Sequence, residues 1–120
     1  MSVDIYADRL ARVRRRFVSN VEGKIDGAHA AIPNLSDTTP AAAAALGEVY
    51  RSIHSIVGIG PTIGFPAIGR AARRAEDDLR AAYSAGRGLT TGEISQLTDS
   101  LNLLRETASD ELRSFHPVGE

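Results

Sequence analysis

Apolar residues recur every three or four positions through four stretches of this chain, and short Pro-, Gly-, Asp- and Thr-rich segments separate them. The first stripe runs Leu10, Val13, Phe17, Val21, Ile25, Ala28, Ile32, which is one face of a long amphipathic helix closed by Pro33 and Asn34. Gly23 and Gly27 lie off that face and weaken the helix by up to about 1 kcal/mol each relative to alanine. Residues 36–40 form a connector in which Asp37, Thr38 or Thr39 can cap a second helix, with Pro40 at its first position. Five alanines follow, then Leu46, Val49, Tyr50, Ile53, Ile56 and Val57, and the pattern ends between Gly58 and Pro61. A third helix is predicted from Phe65 and Pro66. It buries Ile68, Ala71, Ala72, Ala75, Leu79 and Ala82 and stops at Gly86 or Gly88. Thr90, Thr91, Gly92 and Glu93 have capping-box spacing and open a fourth helix along Ile94, Leu97, Leu101, Leu104, Ala108, Leu112 and Phe115, ended by Pro117.

Four amphipathic helices joined by short loops predict an all-α fold, an antiparallel four-helix bundle with up-down-up-down topology. At 120 residues the chain is read as a single helical domain over 1–120, enough for one core and not for two. A formal net charge of −1 gives no overall attraction to nucleic acid or to an anionic membrane. The absence of cysteine excludes disulfides and thiolate metal sites. With Asp4 and Asp8 near the start and no long apolar run, neither a signal peptide nor a membrane span is expected, so the expected location is the cytoplasm.

The second helix carries the most informative residue. At about 100° per residue, with Leu46 at 0°, the apolar group spans roughly 280° to 40°, while His54 falls near 80°, Gly47 near 100°, Gly58 near 120° and Arg51 near 140°. The histidine therefore stands on the flank, outside the core stripe. Glycines seven residues before it and four after it cost helix stability, which points to clearance for something approaching the ring. A free imidazole titrates near about 6.5, so an unprotonated ring nitrogen is available for nucleophilic chemistry at neutral pH.

At these residues the sequence resembles the histidine-containing phosphotransfer (HPt) domains of multistep two-component phosphorelays. The family pattern is His, a small or polar residue, Leu or Ile, a variable residue, then Gly, with a second Gly ten residues after the His. His54, Ile56, Gly58 and Gly64 stand at those offsets, and residues 65–68 and 71–76 continue the likeness. The resemblance covers about residues 46 to 79; elsewhere it rests on helix count and order. It implies that His54 is the phosphoacceptor, that Gly58 keeps the surface beside it open and that Gly64 serves the turn into the next helix; with Gly58, the neighbouring Gly47, Arg51, Ser55 and Val57 make up the expected phosphoryl and docking surface. Many members carry Lys three residues after the histidine, where this chain has Val57. Either Arg51 supplies the positive charge instead, or the phosphoryl group is held more weakly. The implied partners are response-regulator receiver domains and a hybrid histidine kinase, with the domain itself a monomer. The resemblance implies no bound cofactor and no metal, because the Mg²⁺ of phosphoryl transfer would belong to the receiver. The chain would then be a phosphocarrier rather than an enzyme, and it carries no Gly-rich phosphate loop or Walker-type lysine for ATP.

The alternative is a bundle that docks receiver or kinase domains without carrying phosphate. A histidine-kinase dimerisation bundle is disfavoured, since Ser55 follows His54 where an acidic residue would act as base. His29 and His116 have no HxxxH spacing that would make a zinc site with His54. The basic run of Arg9, Arg12, Arg14, Arg15 and Arg16 is either a solvated helix face or an electrostatic dock for an acidic receiver. No aromatic platform accompanies it for nucleic acid.

Overall fold

A computed structural model describes residues 2–36 and 38–115, with side chains from residue 5 onward. Four helices form an antiparallel bundle: α1 (Ser2–Ala31), α2 (Pro40–Thr62), α3 (Pro66–Ala85) and α4 (Thr91–Arg113). A short 3₁₀ turn, Ile32–Asn34, closes α1 at Pro33. Helix α2 packs on α3, α3 on α4, and α1 on both α2 and α4, so the four stripes close around one core. Among the described residues no helix is long and apolar enough to cross a membrane.

Each helix starts and stops for a local reason. The Thr39 side chain accepts the Ala42 N–H at the start of α2, and Pro40 follows it. Of the other two candidate caps, Asp37 lies outside the described residues. Helix α3 ends at Gly86, whose φ of 66° places it in the left-handed region that glycine adopts without strain. At the start of α4 the capping box is complete, with Glu93 N–H donating to Thr90 and Thr90 N–H donating to Glu93. Arg87 grips the Glu93 carboxylate through both oxygens at 2.7 and 3.1 Å. That pairing, helped by the Thr90 N–H, holds the Glu93 carboxyl down to about 2.

The first turn of α3 has no cap of its own, because Phe65 at its N-cap offers no side-chain acceptor. Glu111 supplies one from α4, its two oxygens accepting the N–H groups of Ala67 and Ile68 at 3.1 and 2.8 Å. A carboxylate at a helix N-terminus satisfies free donors and meets the positive end of the dipole. Glu111→Ala is therefore expected to destabilise the bundle by about 1–2 kcal/mol, read as a lower urea midpoint with unchanged slope.

The core follows the predicted stripes on α2, α3 and the middle of α4, with Leu46, Ile53, Ile56, Ile68, Leu79, Leu97, Leu101 and Leu104 fully buried. The first helix departs from its stripe. Burial begins at Phe17, and Leu10 and Val13 stay exposed along with Ile5 and Tyr6. The reason is length. Thirty residues make a rod of about 45 Å, longer than its 20- to 23-residue neighbours. The bundle ends where Phe17 stacks on Phe65, ring centroids 5.3 Å apart, and where Arg14 Nε donates to the Ile63 carbonyl at 2.8 Å. The turns of α1 before that point have no helix opposite them.

The α2–α3 crossing sets the rest of the molecule. Helix α2 continues through Pro61 to Thr62, just past the predicted stop. The Pro61 ring packs against Gly69 of α3, where a Cβ would collide with it. Gly64, at φ 100°, makes the reversal between the helices, and Phe65 N–H returns to the Gly60 carbonyl at 2.8 Å. These contacts lock α2 and α3 in an antiparallel register.

Candidate functional site

That register brings an acidic residue of α3 to the flank of α2. His54 is exposed, its side chain 66% accessible, while Ile53 beside it is fully buried. The imidazole Nδ1 is hydrogen-bonded to Oε2 of Glu76. The Glu76 side chain is only 4% accessible. A buried carboxylate is costly to desolvate unless it is bonded on more than one side. Arg80, one turn further along α3, provides the second contact, Nη2 to Glu76 Oε1 at 3.4 Å, and also reaches Asp77 at 3.1 Å.

This arrangement decides the chemistry of the ring. An ionised carboxylate only accepts hydrogen bonds, so Nδ1 must carry the proton it donates to Glu76. In the neutral imidazole that leaves the lone pair on Nε2, to which no hydrogen bond reaches among the described residues. The ring is steadied on a second side by a near-parallel aromatic series. Tyr50, one turn earlier, lies 6.0 Å from it at 7°, and Tyr83 of α3 stacks on Tyr50 at 4.0 Å and 8°. A fixed tautomer, an oriented ring and an outward nucleophilic nitrogen are what attack on an electrophilic phosphorus requires.

The other residues of the expected surface divide. Gly58 is exposed, and a Cβ there would meet nothing within 4 Å, so the backbone one turn after His54 is open. Gly47 is buried instead. A Cβ on it would lie 3.3 Å from Arg51 Nη1 and 3.8 Å from Tyr83, so its lack of a side chain makes room for those two groups. Arg51 is accordingly turned back along α2 toward Gly47. Ser55 faces α1, its hydroxyl donating to the Ser52 carbonyl at 2.7 Å and accepting from Lys24 Nζ at 3.0 Å. Val57 is half-buried against the core. Gly64 occupies the α2–α3 turn.

His29 is half-buried with its Nε2 unpartnered, and His116 lies outside the described residues. Among the described residues no three acidic or histidine side chains gather as a metal site. In the basic run, Arg12, Arg15 and Arg16 are exposed while Arg14 is committed to the Ile63 carbonyl.

Glu76, Arg80 and Tyr83 are site residues that the α2 motif did not reveal. Glu76 left a trace in the sequence, since it falls four residues after Ala72 and three before Leu79, inside the apolar stripe of α3. A charge in a core stripe asks for a partner, and only the packing of α3 on α2 names that partner. Compared with family models, with curated proteins and with solved structures, the chain matches none.

Proposed function

We propose that this protein is a phosphorelay intermediate of the HPt kind, which accepts a phosphoryl group on His54 from a receiver-domain aspartate and passes it to another receiver. The observation that carries this reading is the exposed His54 ring whose Nδ1 is held by buried Glu76, while no hydrogen bond reaches Nε2 among the described residues. In the step, the Nε2 lone pair forms a bond to phosphorus while the P–O bond to the receiver aspartate breaks, and the aspartate leaves as a carboxylate. The Nδ1 proton stays between the ring and Glu76, whose negative charge offsets the positive phosphoimidazolium that attack creates. Onward transfer is the same step in reverse toward a second aspartate. Mg²⁺ would be contributed by the receiver. The protein would act as a cytoplasmic monomer, with a hybrid histidine kinase upstream and receiver domains as its partners.

The test is to incubate the protein with a phosphorylated receiver domain and map the product. Acid-labile, base-stable phosphate on His54 supports the relay. A receiver that binds without transferring phosphate would indicate the docking adaptor instead.

Glu76→Gln makes a sharper test of the mechanism. A glutamine can turn either its carbonyl or its NH₂ toward Nδ1, so the tautomer is no longer enforced and the charge is gone. Single-turnover uptake is expected to slow by about tenfold, the equivalent of losing roughly 1.4 kcal/mol of charge-assisted bonding. Ring ¹⁵N shifts of His54 should show mixed tautomers in the variant. An unchanged uptake rate would remove Glu76 from the mechanism.

A further inference from the structure

Phosphorylation at Nε2 places close to two negative charges beside a carboxylate that is already buried. Glu76, bonded to Nδ1 on the other side of the ring, brings no positive charge to the phosphoryl group, so a cation must compensate the new charge. The candidates weighed for that role are Arg51 on α2, Lys24 on α1, and Arg73 and Arg80 on α3. Arg51 is folded back over Gly47. Lys24 is bonded to Ser55 on the α1 side of α2.

The remaining two follow from the register of α3 on α2. Gly69 meets Pro61, Glu76 meets His54, and Tyr83 meets Gly47, so seven residues up one helix answer seven down the other. By that register exposed Arg73 falls level with Val57, a turn away from His54. Arg80 is the cation already bonded into the site. It shares Glu76 with His54, at the long distance of 3.4 Å, and its guanidinium side chain is half-exposed. Its other contact, to Asp77, is an exposed pair within one turn of helix, a kind of bridge that contributes little and breaks easily.

We propose that Arg80 is the residue that holds the phosphoryl group on His54, swinging from Glu76 and Asp77 onto the phosphoryl oxygens when Nε2 is phosphorylated. The inference rests on phosphoryl uptake by His54. A guanidinium presents several N–H donors in a planar fork that matches phosphoryl oxygens, and the move leaves the Glu76 charge to the phosphoimidazolium ring. Bound in this way, the dianion is stabilised on the histidine and its loss to water is slowed.

Phosphoramidate, a small N–P donor that releases ammonia as the ring takes the phosphoryl group, loads the histidine without any partner protein. The rate of phosphate loss is then followed for the wild type, Arg80→Ala, Arg80→Lys and Arg73→Ala. Ring ¹⁵N signals of the unloaded proteins verify that the His54–Glu76 bond survives in each. The expected result is loss about fivefold faster in Arg80→Ala, the size of one charge-assisted bond at a half-exposed site. Arg80→Lys should lie in between and Arg73→Ala should match the wild type. Equal lifetimes in Arg80→Ala and the wild type, or equal shortening in Arg73→Ala, would overturn the role of Arg80 while leaving His54 as acceptor. A wild-type protein that takes no phosphate at His54 would overturn both.

Discussion

His54→Gln is expected to accept no phosphate, from a receiver or from phosphoramidate, while remaining folded. The loss is complete because an amide has no nucleophilic nitrogen; its lone pair is delocalised into the carbonyl. The effect on stability is not set by exposure alone, since the ring is also a partner of buried Glu76. Glutamine retains an N–H donor for that carboxylate, so its cost should stay within about 1 kcal/mol. His54→Ala removes the donor and leaves one side of a buried charge unsatisfied, which should cost on the order of 1–3 kcal/mol. Labelled phosphate uptake and urea unfolding of the two variants separate these effects. Undiminished uptake in His54→Gln would show that the acceptor lies elsewhere.

Gly58→Phe should block transfer from a receiver by about two orders of magnitude, because a displacement of roughly 1 Å between reacting groups is enough for a loss of that size. The glycine lies one turn after His54 on an open surface, and a side chain there meets nothing of the bundle within 4 Å. A phenyl ring would fit its own protein and stand where a docking domain has to come. Helix stability should be unchanged or rise by up to about 0.5 kcal/mol, since glycine is a poor interior residue. Phosphoramidate is small enough to reach Nε2 past the ring, so chemical loading should stay near the wild-type rate. Loss of receiver transfer with retained chemical loading marks the Gly58 surface as the docking face. Equal loss of both would point to a disturbed histidine, and normal transfer would place docking on another face.

The bundle is legible in the sequence because its information is periodic. Stripes such as Leu46–Val49–Ile53–Ile56, helix starts such as Thr39-Pro40 and the Thr90–Glu93 box, and the stop at Gly86 are local, and the physics of capping and amphipathicity acts within a few residues. The same arithmetic placed His54 outside the core, where it is found. Local pattern misled where helix length mattered. Leu10 and Val13 continue the α1 stripe without a break, yet they are exposed because the neighbouring helices end short of them. What the histidine can do was decided by contacts between residues far apart in the chain. Pro61 on Gly69 sets the α2–α3 register, that register carries Glu76 to Nδ1 and brings Arg80 in, and the bare Gly47 leaves room for Arg51 to fold back along α2. A helical period tells which side of a helix a residue occupies; only the packing of one helix on another determines which charge it meets there.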